Sequence, residues 1–249
     1  MSYVLTVSPD FPPSHISGWY IFNTWLQQAC DIPIHLEICS YFEDQHKAIN
    51  EDSIDLIYAN PFDASILVRE KNFKAIVIGR GTSDEAVVVS AKDKGIDSIE
   101  ALSAGTRIAK SANDDINLMG MMLIEPANLS AENTQTITVN SFPLVAKQLL
   151  QNNADIGFFL DSAYDELSNL VKLDLQELIR SKINIIQHVF LASPRLAEHH
   201  DKIKEALITM NESEKGRKVL QSLGIIAWEN QDHEDTEFMI DLMDTLVIS

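Results

Sequence analysis

The stretch Asp55–Glu70, DLIYANPFDASILVRE, is where the chain sets out polar groups that could do chemistry. A short apolar run stops at Tyr58-Ala59-Asn60-Pro61-Phe62-Asp63 and restarts at once with helical spacing, the pattern of a strand, a loop and a helix start. Such a loop offers side-chain oxygens, aromatic walls and the open amides of a helix N-terminus. That is the chemistry of holding a small polar molecule, with Tyr58, Asn60, Phe62 and Asp63 as the candidates. The same residues also read as an ordinary turn, with Asp63 in the first turn of the helix regardless of any ligand. Bond-breaking chemistry has no comparable signal. No nucleophile and base, and no acid–base pair, stand at an assignable spacing. The segment GRGTSDE has two glycines but lacks the third glycine or the lysine of a nucleotide loop. No CxxC, HExxH or Cys/His cluster is present, so no metal and no cofactor are expected. His199-His200 reads as a solvated helix face, and Cys30 and Cys39 as reduced core residues.

These residues sit on a strongly acidic chain. Over 249 residues there are 37 Asp and Glu against 19 Lys and Arg, a formal charge of -18. Such a field repels phosphate backbones and anionic lipid, and no basic block offsets it, so nucleic-acid partners and membrane insertion are not expected. An apolar content of 45% is enough for a sizeable core, and no run approaches the roughly 20 apolar residues of a membrane span. The opening MSYVLTVSPDFPPS has neither a basic n-region nor an apolar h-region. The expected location is therefore the cytoplasm, with the periplasm only if a signal peptide has been removed.

The elements that must position the loop alternate from the start. Tyr3–Val7, Ile34–Ile38, Ile54–Tyr58 and Ala75–Ile78 read as strands. Helices of about His15–Ala29 (Ile16, Trp19, Phe22 and Leu26 on one face), Phe42–Asn50 and Phe62–Arg69 separate them. A second series follows, with strands Glu85–Ser90, Arg107–Lys110, Gln135–Val139 and Asp155–Phe159. Its helices are Asp114–Ile124, Ser141–Leu150 and Ser162–Leu167, with a short one from Ile99–Leu102. Ile183–Ser193 reads as a long extended run, after which the chain is helical almost to its end. No repeat at a fixed period is evident. EAVVVSAKDKGI and QHVFLASPRLAE look alike, which suggests a chain that leaves one α/β lobe, builds a second and returns.

Four segments together carry a family resemblance: DLIYANPFDASILVREKNF, GIDSIEALSAGTRIA, VNSFPLVAKQLLQNNADIGFF and EKGRKVLQSLGIIAW. Their order and spacing resemble the phosphate- and phosphonate-type substrate-binding proteins of ABC transporters, which have the type 2 periplasmic-binding-protein fold. The resemblance implies an α/β chain in two lobes, residues 1–90 plus 187–249 and residues 91–186, joined by a double-crossing hinge and closing on a small molecule. Ligands of open α/β sheets lie at the carboxyl ends of strands, which adds Ser8, Asp10, Phe11, Arg80 and Asp161 to the candidates. Asp10 and Asp161 read equally as loop or cap residues, and Arg80 as a surface partner of Asp84 or Glu85.

The family places a small-hydroxyl run at a helix N-terminus of the second lobe, where it holds an anion. Here that position reads Lys110-Ser111-Ala112-Asn113-Asp114-Asp115. Lys110, Ser111 and Asn113 could contact an oxyanion, but Asp114 and Asp115 oppose one. Where relatives usually have a His, this chain has Asn140-Ser141-Phe142-Pro143, leaving Ser141 as a ligand hydroxyl or as a plain N-cap. The expectation is a non-catalytic solute-binding protein for an uncharged, zwitterionic or amine-bearing metabolite, or for an anion held weakly by Lys110 and Arg80, acting as a cytoplasmic sensor or regulatory subunit through a protein partner. Two alternatives stand beside it: an enzyme on the same fold, of the kind found in menaquinone-precursor biosynthesis, and a transporter's phosphonate- or phosphate-type binding component.

Overall fold

The computed structural model describes residues 2–247 and divides the chain into two compact units. The first comprises Met1–Ser83 and Ile185–Met243, and the second Asp84–Asn184 with Asp244–Ser249.

In the first unit β1 (Tyr3–Val7), β2 (Ile34–Leu36), β3 (Leu56–Ala59), β4 (Lys74–Gly79), β10 (Val189–Ala192) and β11 (Trp228–Asn230) form one sheet in the order β11-β4-β10-β3-β1-β2. β1, β2 and β3 run parallel, while β10 is antiparallel to both β3 and β4. The carboxyl ends of β1, β3 and β4 and the start of β10 therefore share one edge. Helices α1 (Ile16–Cys30), α2 (Phe42–Asn50), α3 (Pro61–Arg69), α8 (His200–Ile208), α9 (Glu214–Ser222) and α10 (His233–Val247) cover the sheet. One face packs Trp19, Phe22, Leu26, Phe190 and Trp228, and the other Ile57, Leu67, Leu191 and Ile240. α1 lies so close to α9 that a Cβ on Gly18 would stand 2.4 Å from the Ser222 carbonyl oxygen, which is why this position has no side chain.

In the second unit β5 (Ala86–Ala91), β6 (Arg107–Ser111), β7 (Gln135–Val139), β8 (Ile156–Leu160) and β9 (Leu175–Arg180) are ordered β7-β6-β8-β5-β9. Its helices are α4 (Asp114–Ile124), α5 (Phe142–Leu150), α6 (Asp161–Asp165) and α7 (Asn169–Leu173). This order matches β2-β1-β3-β10-β4 of the first sheet place for place. The two units thus repeat one topology that leaves no periodic trace in the sequence.

Several expectations are corrected. The expected boundary at residue 90 puts β5 in the first lobe, yet β5 pairs with β8 and β9 in the second sheet. The two look-alike runs accordingly belong to different sheets. Within Ile183–Ser193 only Val189–Ala192 is strand, because the chain turns at Asn184 with φ of 58°. β9 and β11 lie in stretches read as helical or unassigned. Ile16 is 42% exposed, so the buried face of α1 begins at Gly18 and Trp19. His200 is buried, its Nε2 3.0 Å from the Ser193 carbonyl oxygen, and His199 is half-buried, its ring edge-on to Tyr3 at 6.0 Å. Both cysteines are free thiols, but only Cys30 is buried in the core, Cys39 being half-buried. Burial pushes the Cys30 thiol up to about 11.

Candidate functional site

At the carboxyl edge of the first sheet the polar residues form a network that the loop sequence dictates. Asn60 adopts extended backbone after β3, and its Oδ1 accepts from the Asp63 amide at 2.9 Å. It is the N-cap of α3, and Pro61 at the first helical position loses no hydrogen bond there. Ser8, one residue past β1, accepts from the Asn60 amide at 3.0 Å and from Gln45 Nε2 at 3.1 Å. Asp63 is fully buried, accepts from Gln45 and lies 2.9 Å from His46 Nε2. Ser8, Asn60 and Asp63 therefore hold β1, α2 and α3 together. Phe62 is 40% exposed beside the His46 ring.

A second cluster on the same edge is open to ligand chemistry. Asp10 Oδ1 lies 3.0 Å from His188 Nε2, with both side chains almost wholly removed from solvent. The His188 ring packs on Tyr58 with centroids 5.1 Å apart, and Trp19 and Trp228 pack on Tyr58 at 5.4 and 5.6 Å. Phe11 meets Trp19 edge-on at 6.4 Å. The arrangement is a carboxylate backed by an imidazole and walled by aromatic faces. The sequence reading missed His188, a lone histidine before a β-rich run. Only the antiparallel entry of β10 beside β3 brings it to Asp10 and Tyr58.

Arg80 departs from expectation. Because β11 pairs with β4, Glu229 comes opposite Ile78, and Arg80 Nε donates to Glu229 Oε1 at 2.6 Å on the exposed surface.

In the second unit Ser111 ends β6, its Oγ accepting from the Asn113 amide at 3.3 Å and its carbonyl from Asn117 Nδ2 at 2.9 Å. Asn113 caps α4 as Asn60 caps α3, accepting from the Ile116 amide at 2.9 Å. Asp114 and Asp115 form the first turn of α4, Asp114 exposed and Asp115 only 1% exposed. Lys110 precedes Ser111 in β6, so strand alternation turns its partly buried side chain to the other face. Ser141 occupies the N-cap position of α5 without a side-chain capping bond. Asp161 opens α6, where burial pushes its carboxyl up from the ordinary value. The Ser162 amide, donating to it at 2.6 Å, and the Arg180 charge act against that rise. Arg180, also missed in the sequence, ends β9 and lies 3.6 Å from Asp161, 3.0 Å from Asp165 and 2.9 Å from Glu177.

Each unit thus gathers its candidates at the carboxyl edge of its own sheet, with carboxylates prominent in both. No group of three or more His, Cys, Asp or Glu suited to a metal occurs among the described residues. Nor is any described helix long and apolar enough to cross a membrane.

Residues 5–236 match the family model of the ABC transporter phosphonate periplasmic substrate-binding proteins. The chain belongs to this family. Three solved structures share the fold of this chain. PhnD1 of Prochlorococcus marinus, in complex with methylphosphonate, superposes with a TM-score of 0.84 at 12% identity, covering 99% of this chain and 98% of its own. XAC2383 of Xanthomonas citri, bound to ATP, gives 0.78 at 12% identity over 99% and 98%. PA3383 of Pseudomonas aeruginosa, a binding component of an ABC phosphonate transporter, gives 0.77 at 14% identity over 98% and 87%. At these identities the likeness is one of fold. No curated protein sequence matches the chain.

Proposed function

We propose that this member of the phosphonate-binding family is a non-catalytic solute-binding protein whose ligand carries a cationic group, an amine or a zwitterion, rather than being a phosphonate or phosphate dianion. The observation that carries the reading is the first turn of α4, where Asp114 and Asp115 stand at the helix end an oxyanion would need. Two unit charges of like sign 4 Å apart repel by about 4 kcal/mol at an effective dielectric constant of about 20, and a dianion doubles that. In the first unit the Asp10 carboxylate pairs with His188, whose ring packs on Tyr58, and a carboxylate beside aromatic rings is chemistry suited to an ammonium group. The relatives support a fold that does not dictate its ligand, because one holds methylphosphonate and another ATP.

The readout of occupancy is proposed to be a protein partner with a basic surface. The charge of -18 supports this, and such association weakens as salt rises.

Thermal-shift screening of the full chain tests the ligand class. A ligand present at about 100 times its Kd raises the melting temperature of a chain this size by about 5–10 °C. Amine-bearing or zwitterionic metabolites are expected to give such shifts. Stabilisation by methylphosphonate or phosphate at micromolar concentration, with amines inert, would overturn the reading.

A further inference from the structure

The opposite edge of the first sheet holds a cavity of about 200 Å³. Its wall comes from the end of α2, the entries of β3 and β4 and the exit of β10. It therefore lies across the sheet from Ser8, Asn60 and His188 and shares no residue with the candidates above. Its floor is apolar: Ile49, Ile54 and Leu67 are buried, and Phe73 packs against them. Two cations stand at its rim, Lys71 and Arg195.

We infer that this cavity is a second binding site, for a small amphipathic carboxylate whose tail fills the apolar floor and whose carboxylate meets Lys71 and Arg195. Size sets the first limit. A space of about 200 Å³ suits the tail of a short aliphatic acid. Charge sets the second. On a chain with 37 acidic and 19 basic residues, a lining in which Lys71 and Arg195 outnumber the one carboxylate, Asp52, is complementary to a monoanion. Lys71 Nζ is held at 2.7 Å by Asp52, whose side chain is 74% exposed. Such a surface pair contributes little, so a ligand carboxylate can take its place at small cost. Arg195 uses Nη1 on the buried Asp55 at 3.0 Å, which anchors the guanidinium while Nε and Nη2 still have hydrogens to donate.

The inference is independent of the ligand proposed above, and its test is separate. Hexanoate is titrated into the full chain carrying labelled Ile and Leu methyl groups, with hexanol and hexylamine as neutral and cationic controls of the same length. Hexanoate is expected to shift the Ile54 and Leu67 methyl signals saturably in the millimolar range, with hexanol at least fivefold weaker and hexylamine weaker again. Lys71→Gln and Arg195→Gln should each weaken hexanoate at least threefold and leave hexanol unchanged. Arg195→Gln removes a partner of buried Asp55, so Lys71→Gln, which touches no buried group, keeps the test valid if the former fails to fold. Equal affinity for hexanoate and hexanol, hexanoate binding unaffected by Lys71→Gln, or signals that do not saturate would overturn the inference.

Discussion

Asp55 and Asp155 stand one residue before β3 and β8, and each ties its strand to the neighbouring one. Asp55 donates its amide to the Val4 carbonyl and accepts from the Val4 amide through Oδ2, both at 2.9 Å. Asp155 does the same with Arg107, at 2.8 and 2.9 Å, and adds the Arg107 guanidinium and Lys94. Hydrogen bonds from Arg107 hold the Asp155 carboxyl well below the usual carboxylate range. Partial burial opposes them, and Lys94 adds to them. A depressed folded-state value means that this stabilisation is complete above the unfolded value of about 4 and disappears as pH falls through the folded one. Asp155→Asn is therefore expected to cost about 1–2 kcal/mol at neutral pH, after allowance for solvent screening. In urea melts from pH 7 to pH 2 its difference from the parent protein should shrink below about pH 4. Asn60→Ala should lower stability by about 1 kcal/mol through loss of the α3 cap, in the same melts. The sequence made the loop around Asn60 legible, because a capping side chain before proline and a helical run is a local signal. It left His188 and Arg180 illegible, since their partners Asp10, Asp161 and Asp165 reach them only through strand pairing.

Elements with one strong local period were read nearly to the residue, as for α2 over Phe42–Asn50 and β7 over Gln135–Val139. The failures were β9 and β11. LQELIR in β9 carries helix-forming Leu, Gln and Glu, and the three-residue β11 is too short to show alternation, so tertiary pairing to β5 and β4 decides both. α4 shows what positions the second unit's candidates. Its Gly120 faces β8 so closely that a Cβ would stand 2.5 Å from Phe158 Cγ. Gly120→Ala must displace that ring or the helix. It is expected to cost about 1–3 kcal/mol, a fall of several degrees in Tm by calorimetry, and to weaken ligand binding through movement of Asp114 and Asp115.

At the scale of the molecule, two sheets of one topology each present carboxylates at their carboxyl edges, on a chain of the phosphonate-binding family. The two-unit α/β fold was legible from the order of four weak segments, because order survives where single motifs are faint. The topological repeat was not, since equivalent strands share only their place in a sheet. The proposed cationic ligand is the point at which this chain would depart from its relatives' names, and that proposal rests on Asp114 and Asp115 in the first turn of α4. Isothermal titration of the amine-bearing ligand found by thermal screening, against the parent protein, Asp114→Asn and Asp115→Asn, is the most direct test. Each variant, with circular dichroism unchanged, is predicted to lose at least tenfold in affinity. Unchanged affinity in both, or tighter binding of methylphosphonate than of any amine by the parent protein, would contradict the account.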